Sequence, residues 1–201
     1  KKTLRAAEQD RPDLVRARRK WRRSQGGLDP ARLVFLDESA AKTNMTRLRG
    51  RALRGQRLLA KAPHGHWRTT TMISSVRLDG TTACMTIEGA TDTAVFQAYV
   101  REVLGPSLRT GDIVIMDNLS PHKNETTLAL IAAAGASVRF LPAYSPDLNP
   151  IEMMWSKVKT LLRSAEACTA AELLLAIGHA LQRVCAQDAA GWFAACGYSI
   201  I

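Results

Sequence analysis

Short apolar runs in the first half of the chain predict β-strands. Residues 32–39, RLVFLDES, form a continuous apolar run that ends in acid, which is typical of a buried strand, here through Leu36. Residues 69–87 contain two β-rich runs, TTTMISSVRL and TTACMTI, joined by Asp79-Gly80. Because Asp-Gly between two such runs is a strong hairpin signal, we expect the runs to be antiparallel neighbours.

Apolar positions at helical spacing appear later in the chain, and further strands lie between them. Residues 92–104 carry an apolar stripe that stops at Gly105-Pro106. The segments that follow are predicted as a strand over 112–117, a helix over 124–134, a strand over 137–141, and helices over 149–164, 170–184 and 188–196. The order β, ββ, α, β, α, β, α predicts an α/β fold with a mixed sheet flanked by helices, the last of which cover one face.

The N-terminal third contains a basic helix and a segment without a clear period. Residues 7–25 are predicted as a peripheral helix with few apolar contacts, among them Trp21. Residues 40–68 are rich in Arg, Gly and Lys and are predicted as a loop or irregular hairpin. We therefore divide the chain into a basic helical arm, residues 1–30, and a larger domain, residues 31–201.

Positive charge is concentrated in the same third of the chain. The net charge is +10, but residues 1–68 carry 19 Lys and Arg against 6 Asp and Glu, whereas residues 69–201 carry 9 against 12. A basic segment joined to a near-neutral core favours a polyanionic partner, and nucleic acid is the leading one. The alternative is a solvated basic surface with no specific partner, which would respond weakly to salt.

Composition also excludes several classes of protein. No run of about 18 apolar residues is present to span a bilayer, and the N-terminus lacks the apolar core of a signal peptide. The four cysteines include no Cys-x-x-Cys pair, so neither a zinc knuckle nor a disulfide framework is indicated, and we expect reduced, mostly buried thiols. The chain is predicted to be soluble and intracellular, with no membrane contact.

Two predicted strands end in aspartate, Asp37 after LVFL and Asp117 after IVIM. If these strands pair in parallel, their carboxylates meet at one edge of the sheet, where open α/β sheets hold their ligands. Neighbouring anions in a partly dry site repel each other, which raises at least one pKa, and a divalent cation removes that penalty. The pattern therefore predicts a metal site between the two strands.

A third acid follows the stretch PAYSPDLNPIEMMW, residues 142–155. Asn149 suits the N-cap of a helix, Pro150 its first position, and Glu152 its third. One interpretation is a capping box in which Glu152 only binds the backbone of Asn149. In the other, Glu152 lies at the margin of the buried stripe, looks into a cleft, and is followed by Lys159 and Arg163 within about 20° on the helical wheel, as a track for a phosphate backbone.

These motifs resemble those of the catalytic domain of bacterial insertion-sequence transposases in the mariner-like superfamily. The matching pieces are FLDES at 35–39, GRALRGQR at 50–57, IVIMDNLSPHK at 113–123 and LPAYSPDLNPIEMMWSKVK at 141–159. The spacing of 34 residues between Asp117 and Glu152 is the one this family uses for its second and third catalytic acids.

The resemblance implies an RNase H-like, retroviral-integrase-like fold with a mixed five-stranded sheet flanked by helices. It implies that Asp37, Asp117 and Glu152 form a DDE triad that holds two Mg²⁺ ions, for which Mn²⁺ substitutes, and that Asp37 bridges the two metals. The activity implied is DNA strand cleavage and strand transfer at transposon ends. A homodimer, target DNA as second substrate, no small-molecule cofactor and a place in the bacterial cytoplasm with the nucleoid follow from the same resemblance.

The resemblance also implies candidate DNA contacts. The basic loop 42–68 corresponds to a segment that relatives use as a clamp between subunits and against DNA. Its phosphate candidates are Arg47, Arg49, Arg51, Arg54 and Arg57. Asn118 and His122 match the residues that follow the second Asp and would orient phosphate or the attacking water; the alternative is turn chemistry, with Asn118 bonding to local backbone and His122 capping the next helix.

Two rivals to this function remain at the level of sequence. One is a domesticated, non-catalytic module that keeps the fold to bind DNA or assemble, and the other is an RNase H-like nuclease that hydrolyses but never joins strands. Family members carry helix-turn-helix modules ahead of the catalytic domain, and residues 1–30 provide none. Sequence-specific recognition of transposon ends is therefore expected to need residues outside the given chain.

Overall fold

Five strands form one mixed sheet in the computed structural model, which describes residues 6–59 and 67–198. The strands are β1 Leu33–Lys42, β2 Thr69–Arg77, β3 Thr82–Glu88, β4 Ile113–Met116 and β5 Ser137–Phe140. Their order across the sheet is β3-β2-β1-β4-β5. The first three strands are antiparallel and β1, β4 and β5 are parallel, which confirms the predicted mixed sheet and the hairpin.

Six α-helices flank the sheet in the described part of the chain. They are α1 Pro12–Gln25, α2 Thr93–Tyr99, α3 Glu125–Ala133, α4 Pro150–Ala165, α5 Ala170–Gln182 and α6 Ala186–Ala195. The helix predicted over 92–104 changes to π-helical geometry at Val100–Leu104, so its second half is wider than a regular α-helix. No helix of the described residues is long and apolar enough to cross a membrane.

Strand β1 is buried on both faces, which explains its continuous apolar run. Leu33 and Phe35 pack with α4, α5 and α6, whereas Val34 and Leu36 pack on the other side with α2, α3 and the π-helical turn. The predicted cover of one face by the last helices is confirmed. Because alternate residues of a strand point to opposite faces, burying all four requires helices on both sides of the sheet.

Helix α1 packs on the sheet-bearing part of the chain through its aromatic residue. Trp21 is buried, and its indole Nε1 donates to the Tyr198 hydroxyl at 3.2 Å. That hydroxyl donates in turn to the backbone carbonyl of Leu148 at 2.9 Å. Gln25 donates to the carbonyl of Cys196 at 2.9 Å. The basic helix is thus anchored to the C-terminal segment and to the loop before α4.

A buried ion pair lies at the edge where β2 ends and β4 begins. Arg77 and Asp112 have side chains that are 4% and 3% exposed and form a direct ion pair. Arg77 also donates to the carbonyl of Ser107 at 2.8 Å, and Asp112 accepts the backbone N–H of Arg109 at 2.6 Å. Burial alone would raise the pKa of Asp112, but the Arg77 guanidinium and the Arg109 N–H together outweigh it and lower that pKa.

The four cysteines are free, and their burial differs from the prediction. Cys196 is buried and Cys84 is partly buried, whereas Cys168 and Cys185 are exposed. Both exposed thiols lie at helix starts: Cys168 precedes the N-cap residue of α5, and Cys185 is the N-cap residue of α6.

Candidate active site

The parallel pairing of β1 and β4 brings the first two acids together. Phe35 pairs with Ile115. Asp37 and Asp117 each follow two residues later in the chain, so the parallel register places them side by side. The sequence predicted that β1 is buried only through Leu36 and ends in acid, but β1 continues to Lys42 because β2 pairs with it along its whole length. Asp37 therefore lies inside a strand, at the point where its other neighbour, β4, has ended and left an open edge.

The third acid enters from the first turn of α4. Asn149 is the N-cap residue, but its side chain makes no capping hydrogen bond, and α4 has no capping box among the described residues. The capping-box interpretation of Glu152 is therefore wrong. The backbone N–H of Glu152 donates to the carbonyl of Asn149 at 3.2 Å, and the Glu152 side chain lies on the exposed margin of the helix.

All three acids line one cavity of about 450 Å³. The remaining lining residues are Asn118, Leu119, Leu141, Pro142, Ala143, Tyr144, Ser145, Pro146 and Asn149. Asp37 comes from β1 and Asp117 from the residue just after β4, and the other wall is the loop that leads into Glu152. The cavity therefore gathers acids from three elements that are far apart in sequence, as the metal-site prediction requires.

The electrostatics of the cavity are those of crowded anions. Burial is the largest cause that raises the pKa of Asp37, to about 7, and the charges of Glu152, Glu38 and Asp117 add to it. Glu152 is more exposed, but its partial burial in the cavity wall is still the largest cause that raises its pKa, and the charge of Asp117 contributes to the same shift. A cation placed among these carboxylates would reverse both shifts.

A lysine of α4 acts on the third acid in the opposite direction. Lys159 lies seven residues after Glu152, and its positive charge lowers the pKa of the Glu152 carboxyl against the larger effect of burial. This proximity agrees with the predicted position of both side chains on one face of the helix.

The donor set of the cavity fits a hard divalent cation such as Mg²⁺ or Mn²⁺. Carboxylate oxygens are the ligands these ions prefer, and Asn149 Oδ1 is a further oxygen that is buried without a hydrogen-bond partner among the described residues. Within residues 6–59 and 67–198, no group of three His, Cys, Asp or Glu side chains is arranged to hold a metal ion. The acids therefore share a cavity without forming a finished coordination shell.

Comparison with known proteins places the chain in a family. Residues 32–174 match the family of DDE superfamily endonucleases. The chain belongs to this family. No curated protein matches the sequence.

Solved structures of similar fold include those of the Mos1 transposase. The paired-end complex with the left transposon end has a TM-score of 0.71 and 16% identity, and covers 98% of this chain and 63% of that one. The mariner paired-end complex with Mn has a TM-score of 0.70, 15% identity and the same coverage. The catalytic domain with raltegravir and Mg has a TM-score of 0.60 and 12% identity, and covers 98% of this chain and 92% of that one.

These likenesses confirm the RNase H-like fold predicted for the DDE domain. The chain spans 63% of the length of the transposases in the paired-end complexes. It spans nearly the whole of the separate catalytic domain. The shared part is therefore the sheet and helices that carry the three acids.

A buried histidine of the DDE domain contacts the second acid. His122 is fully buried, with Nδ1 2.7 Å from Asp117 Oδ1 and Nε2 3.1 Å from Glu38 Oε1. The Asp117 contact is an ion-pair contact and not an aligned hydrogen bond, since Nδ1 has no partner in hydrogen-bond geometry among the described residues. The His122 ring packs on Phe96 with centroids 4.4 Å apart.

This histidine is charged at neutral pH. Burial favours the neutral imidazole, but Asp117 and Glu38 outweigh burial and raise the pKa of His122 to about 9. Burial likewise acts to raise the pKa of Asp117, but His122 and the backbone N–H of Leu119 lower it overall. Asp117 is thus kept ionised at neutral pH whereas Asp37 is only partly ionised, so the two strand acids differ in protonation.

The sequence offered two interpretations of His122: that it orients phosphate or the attacking water, which stays a prediction, and that it caps the next helix. It does not cap α3, because the side chain of Asn124 accepts the N–H of Thr126 in that position. Glu38 was missed as its partner. A signal for this contact was present in the sequence, because side chains alternate along β1 and Glu38 therefore points to the face opposite Asp37. An acid buried on that face requires a cationic partner.

Replacing His122 by Gln is expected to change how stability depends on pH. Its pKa is raised from 6.5 to about 9 in the folded state, so its contribution is fully present below about pH 6.5 and is lost as pH rises through 9. We expect metal-free His122→Gln to be less stable than wild type by on the order of 3 kcal/mol at pH 6, with the gap closing by about pH 10. Urea unfolding at both pH values measures this difference.

The exposed His179 provides the matched control for this prediction. His179→Gln removes the same type of side chain from a solvent-exposed helical position, so it should change the free energy of unfolding by less than about 0.5 kcal/mol. A constant gap between wild type and His122→Gln across the same pH range would contradict a charged, ion-paired His122.

Asn118 connects the two loops that follow β4 and β5. Its side-chain Nδ2 donates to the carbonyl of Leu141, 23 residues away, so the expected bond to local backbone is not the one formed. Asn118 also lines the acid cavity. The residue therefore ties together two loops that form the wall of the cavity.

The basic residues predicted to contact DNA lie in two places. Arg47 and Arg49 line a second cavity of about 600 Å³ together with Arg163 of α4. The other candidates, Arg51, Arg54 and Arg57, are exposed. Residues 60–66 of the predicted loop lie outside the described residues. Arg163 therefore lies beside Arg47 and Arg49 of the loop, whereas Lys159 lies near Glu152.

Proposed function

We propose that this DDE domain is the catalytic domain of a transposase that cuts DNA strands at transposon ends and joins them to target DNA. The observation that carries the proposal is the single cavity lined by Asp37, Asp117 and Glu152, in which burial and mutual repulsion raise the pKa of Asp37 to about 7. Such crowding of acids is costly in a fold that does not use a cation. The bacterial insertion-sequence branch of the mariner-like superfamily is the source that the motifs favour.

The three acids, with Asn149 Oδ1 beside them, would hold the divalent cations. Two bound Mg²⁺ or Mn²⁺ ions supply activation of the attacking oxygen and stabilisation of the leaving oxygen in displacement at phosphorus. Asp117 is ready to bind a cation at neutral pH because His122 keeps it ionised. Asp37 gives up its proton only near pH 7, so the loaded site forms more readily as pH rises.

DNA would reach the cavity across the basic surfaces. Lys159 lies close to Glu152, and the group formed by Arg47, Arg49 and Arg163 lies further along α4. A guanidinium can donate two parallel hydrogen bonds to the oxygens of one phosphate. These three arginines therefore suit a DNA backbone that leaves the active site. A homodimer that pairs two DNA ends, in the nucleoid of a bacterial cytoplasm, is part of the same proposal.

The proposal predicts metal-dependent nicking of supercoiled plasmid DNA and joining of a labelled 3′-hydroxyl end into that plasmid. We expect Asp117→Ala to lower both rates by about 10³-fold or more, because it removes an ionised ligand of the cations. Agarose gels separate nicked from joined products. The exposed Glu102→Ala removes an acid that does not line the cavity and should leave both rates unchanged.

The products distinguish the proposed function from its rivals. Nicking without joined products would identify a nuclease that only hydrolyses. DNA binding without nicking in Mg²⁺ or Mn²⁺ would identify a non-catalytic module. Nicking that persists in Asp117→Ala would show that the activity does not come from this cavity.

A further inference from the structure

Helix α1 forms ion pairs and hydrogen bonds with the loop that precedes the third acid. We define the active-site loop as residues 142–149. Arg18 forms a two-pronged ion pair with Asp147 of this loop, with Nη1–Oδ1 at 2.9 Å and Nη2–Oδ2 at 2.7 Å. Its Nη1 also donates to the hydroxyl of Ser145 at 2.7 Å. Arg22 adds a second contact to Asp147 at 3.2 Å.

The loop contains a residue in an unfavourable backbone conformation. Tyr144 has φ of 54°, in the left-handed region, which costs about 1–2 kcal/mol for a residue with a side chain. Its carbonyl accepts hydrogen bonds from Gln9 at 2.6 Å and from Arg18 at 3.4 Å. Because both donors come from the N-terminal segment, contacts made by that segment stabilise the conformation of Tyr144.

The active-site loop also forms a wall of the acid cavity. Tyr144, Ser145, Pro146 and Asn149 all line it, and Glu152 follows in the first turn of α4. The α1 contacts hold the loop at two points, through Arg18 at its centre and through the hydrogen bonds that link Trp21 to the Leu148 carbonyl near its end. The position of Asn149 and Glu152 therefore depends on the contacts that α1 makes with the residues just before them.

Arg18 is poorly placed to bind DNA phosphate. Its side chain is only 11% exposed, and its charge is balanced by Asp147, which is 46% exposed. Burial acts to raise the pKa of Asp147, but Arg18 outweighs it and keeps that pKa low. The pair is therefore ionised at neutral pH and is already satisfied within the chain.

We propose that Arg18 is a positioning residue of the DDE active site, which fixes the active-site loop so that Asn149 and Glu152 face Asp37 and Asp117. The inference rests on the proposed function for its catalytic consequence. By this inference, α1 helps to hold the active site in place and does not serve only as a positively charged surface.

Two measurements test this role. Arg18→Ala is compared with Arg16→Ala, which removes the same charge from an exposed position of the same helix. At saturating plasmid DNA and Mn²⁺, we expect Arg18→Ala to cut about 10- to 100-fold more slowly than Arg16→Ala, since small misplacement of reacting groups costs about that much. Because the DNA is saturating, a difference in DNA affinity between the two variants does not enter this comparison of rates.

Amide hydrogen exchange of residues 144–149 is the second readout and does not need activity. We expect exchange at least about tenfold faster in Arg18→Ala than in Arg16→Ala in this loop, with unchanged exchange in the sheet. Arg18→Lys keeps the charge but loses the two-pronged geometry, so it should fall between wild type and Arg18→Ala in both readouts. This variant keeps the test decisive if Arg18→Ala unfolds.

Equal cutting rates and equal loop exchange in Arg18→Ala and Arg16→Ala would overturn the proposal. Faster exchange throughout the chain, with cutting reduced only in proportion to the unfolded fraction, would also overturn it and leave Arg18 as a general stabiliser. If wild-type protein cuts no DNA, the proposed function fails, and loop exchange alone then decides whether Arg18 positions the loop.

Discussion

Asp37→Asn is expected to abolish strand cleavage and at the same time to stabilise the metal-free fold. Asn keeps the shape of the side chain but cannot serve as an anionic ligand, so we expect plasmid nicking to fall by about 10³-fold or more. Stability should rise because the Asp37 carboxylate is disfavoured in the folded state, where burial and neighbouring acids raise its pKa to about 7. An amide in that position removes the repulsion.

The sign of the pH dependence follows from the raised pKa. Between the unfolded value of 3.8 and about 7, the folded protein binds the Asp37 proton more tightly than the unfolded chain, so wild-type stability falls as pH rises through this window. The stability of Asp37→Asn does not decrease in this way as pH rises, because the amide does not titrate. We expect both proteins to have similar stability near the unfolded pKa, at about pH 4, and the variant to be more stable by on the order of 3 kcal/mol at about pH 8.

Thermal unfolding in EDTA at those two pH values measures this difference, which corresponds to roughly 5–10 °C at the higher one. Adding Mn²⁺ should raise the melting temperature of wild type and not that of Asp37→Asn. A variant that is less stable than wild type at the higher pH would contradict the crowding of acids in this cavity.

Asp112→Asn is expected to have the opposite effect on stability. Asp112 neutralises the buried guanidinium of Arg77, and removing one partner of a buried ion pair leaves an uncompensated charge that costs about 3–5 kcal/mol. The pKa of Asp112 is lowered, so its contribution is present above the unfolded value and is lost as pH falls through the folded one. Urea unfolding at neutral pH is the measurement.

An exposed ion pair provides the comparison for Asp112. Glu88 and Arg68 lie 3.7 Å apart with side chains 71% and 66% exposed, so Glu88→Gln should cost less than about 1 kcal/mol. Asp112 does not line the acid cavity, and folded Asp112→Asn should therefore still cut DNA. Equal losses of stability in the two variants would mean that burial of the Arg77 pair contributes nothing.

The acids on the strands could be predicted from the sequence because each follows a continuous apolar run. A strand buried on both faces has a recognisable composition, and parallel pairing then places Asp37 beside Asp117. Glu152 was accessible through the Asn149-Pro150 helix start. What the sequence left open was whether Glu152 capped its own helix, since this depends on side-chain direction.

The contacts that tune the site could not be predicted in the same way. His122 bonds to Glu38, 84 residues away, and Arg18 bonds to Asp147, 129 residues away. Neither pair has a periodic signature, because such contacts arise from how loops and helices pack after the sheet has formed. The extension of β1 to Lys42 was missed for a related reason: its pairing with β2, rather than its own composition, defines its end.

The three acids sit on β1, just after β4, and on α4, and the last of these elements follows all five strands in the chain. During synthesis, a ribosome-bound fragment that ends before α4 contains only two of the three side chains on which cutting depends. Under the proposed function, a fragment that ends before Glu152 lacks the third acid, and we expect the capacity to break DNA to arise only once translation has passed Glu152.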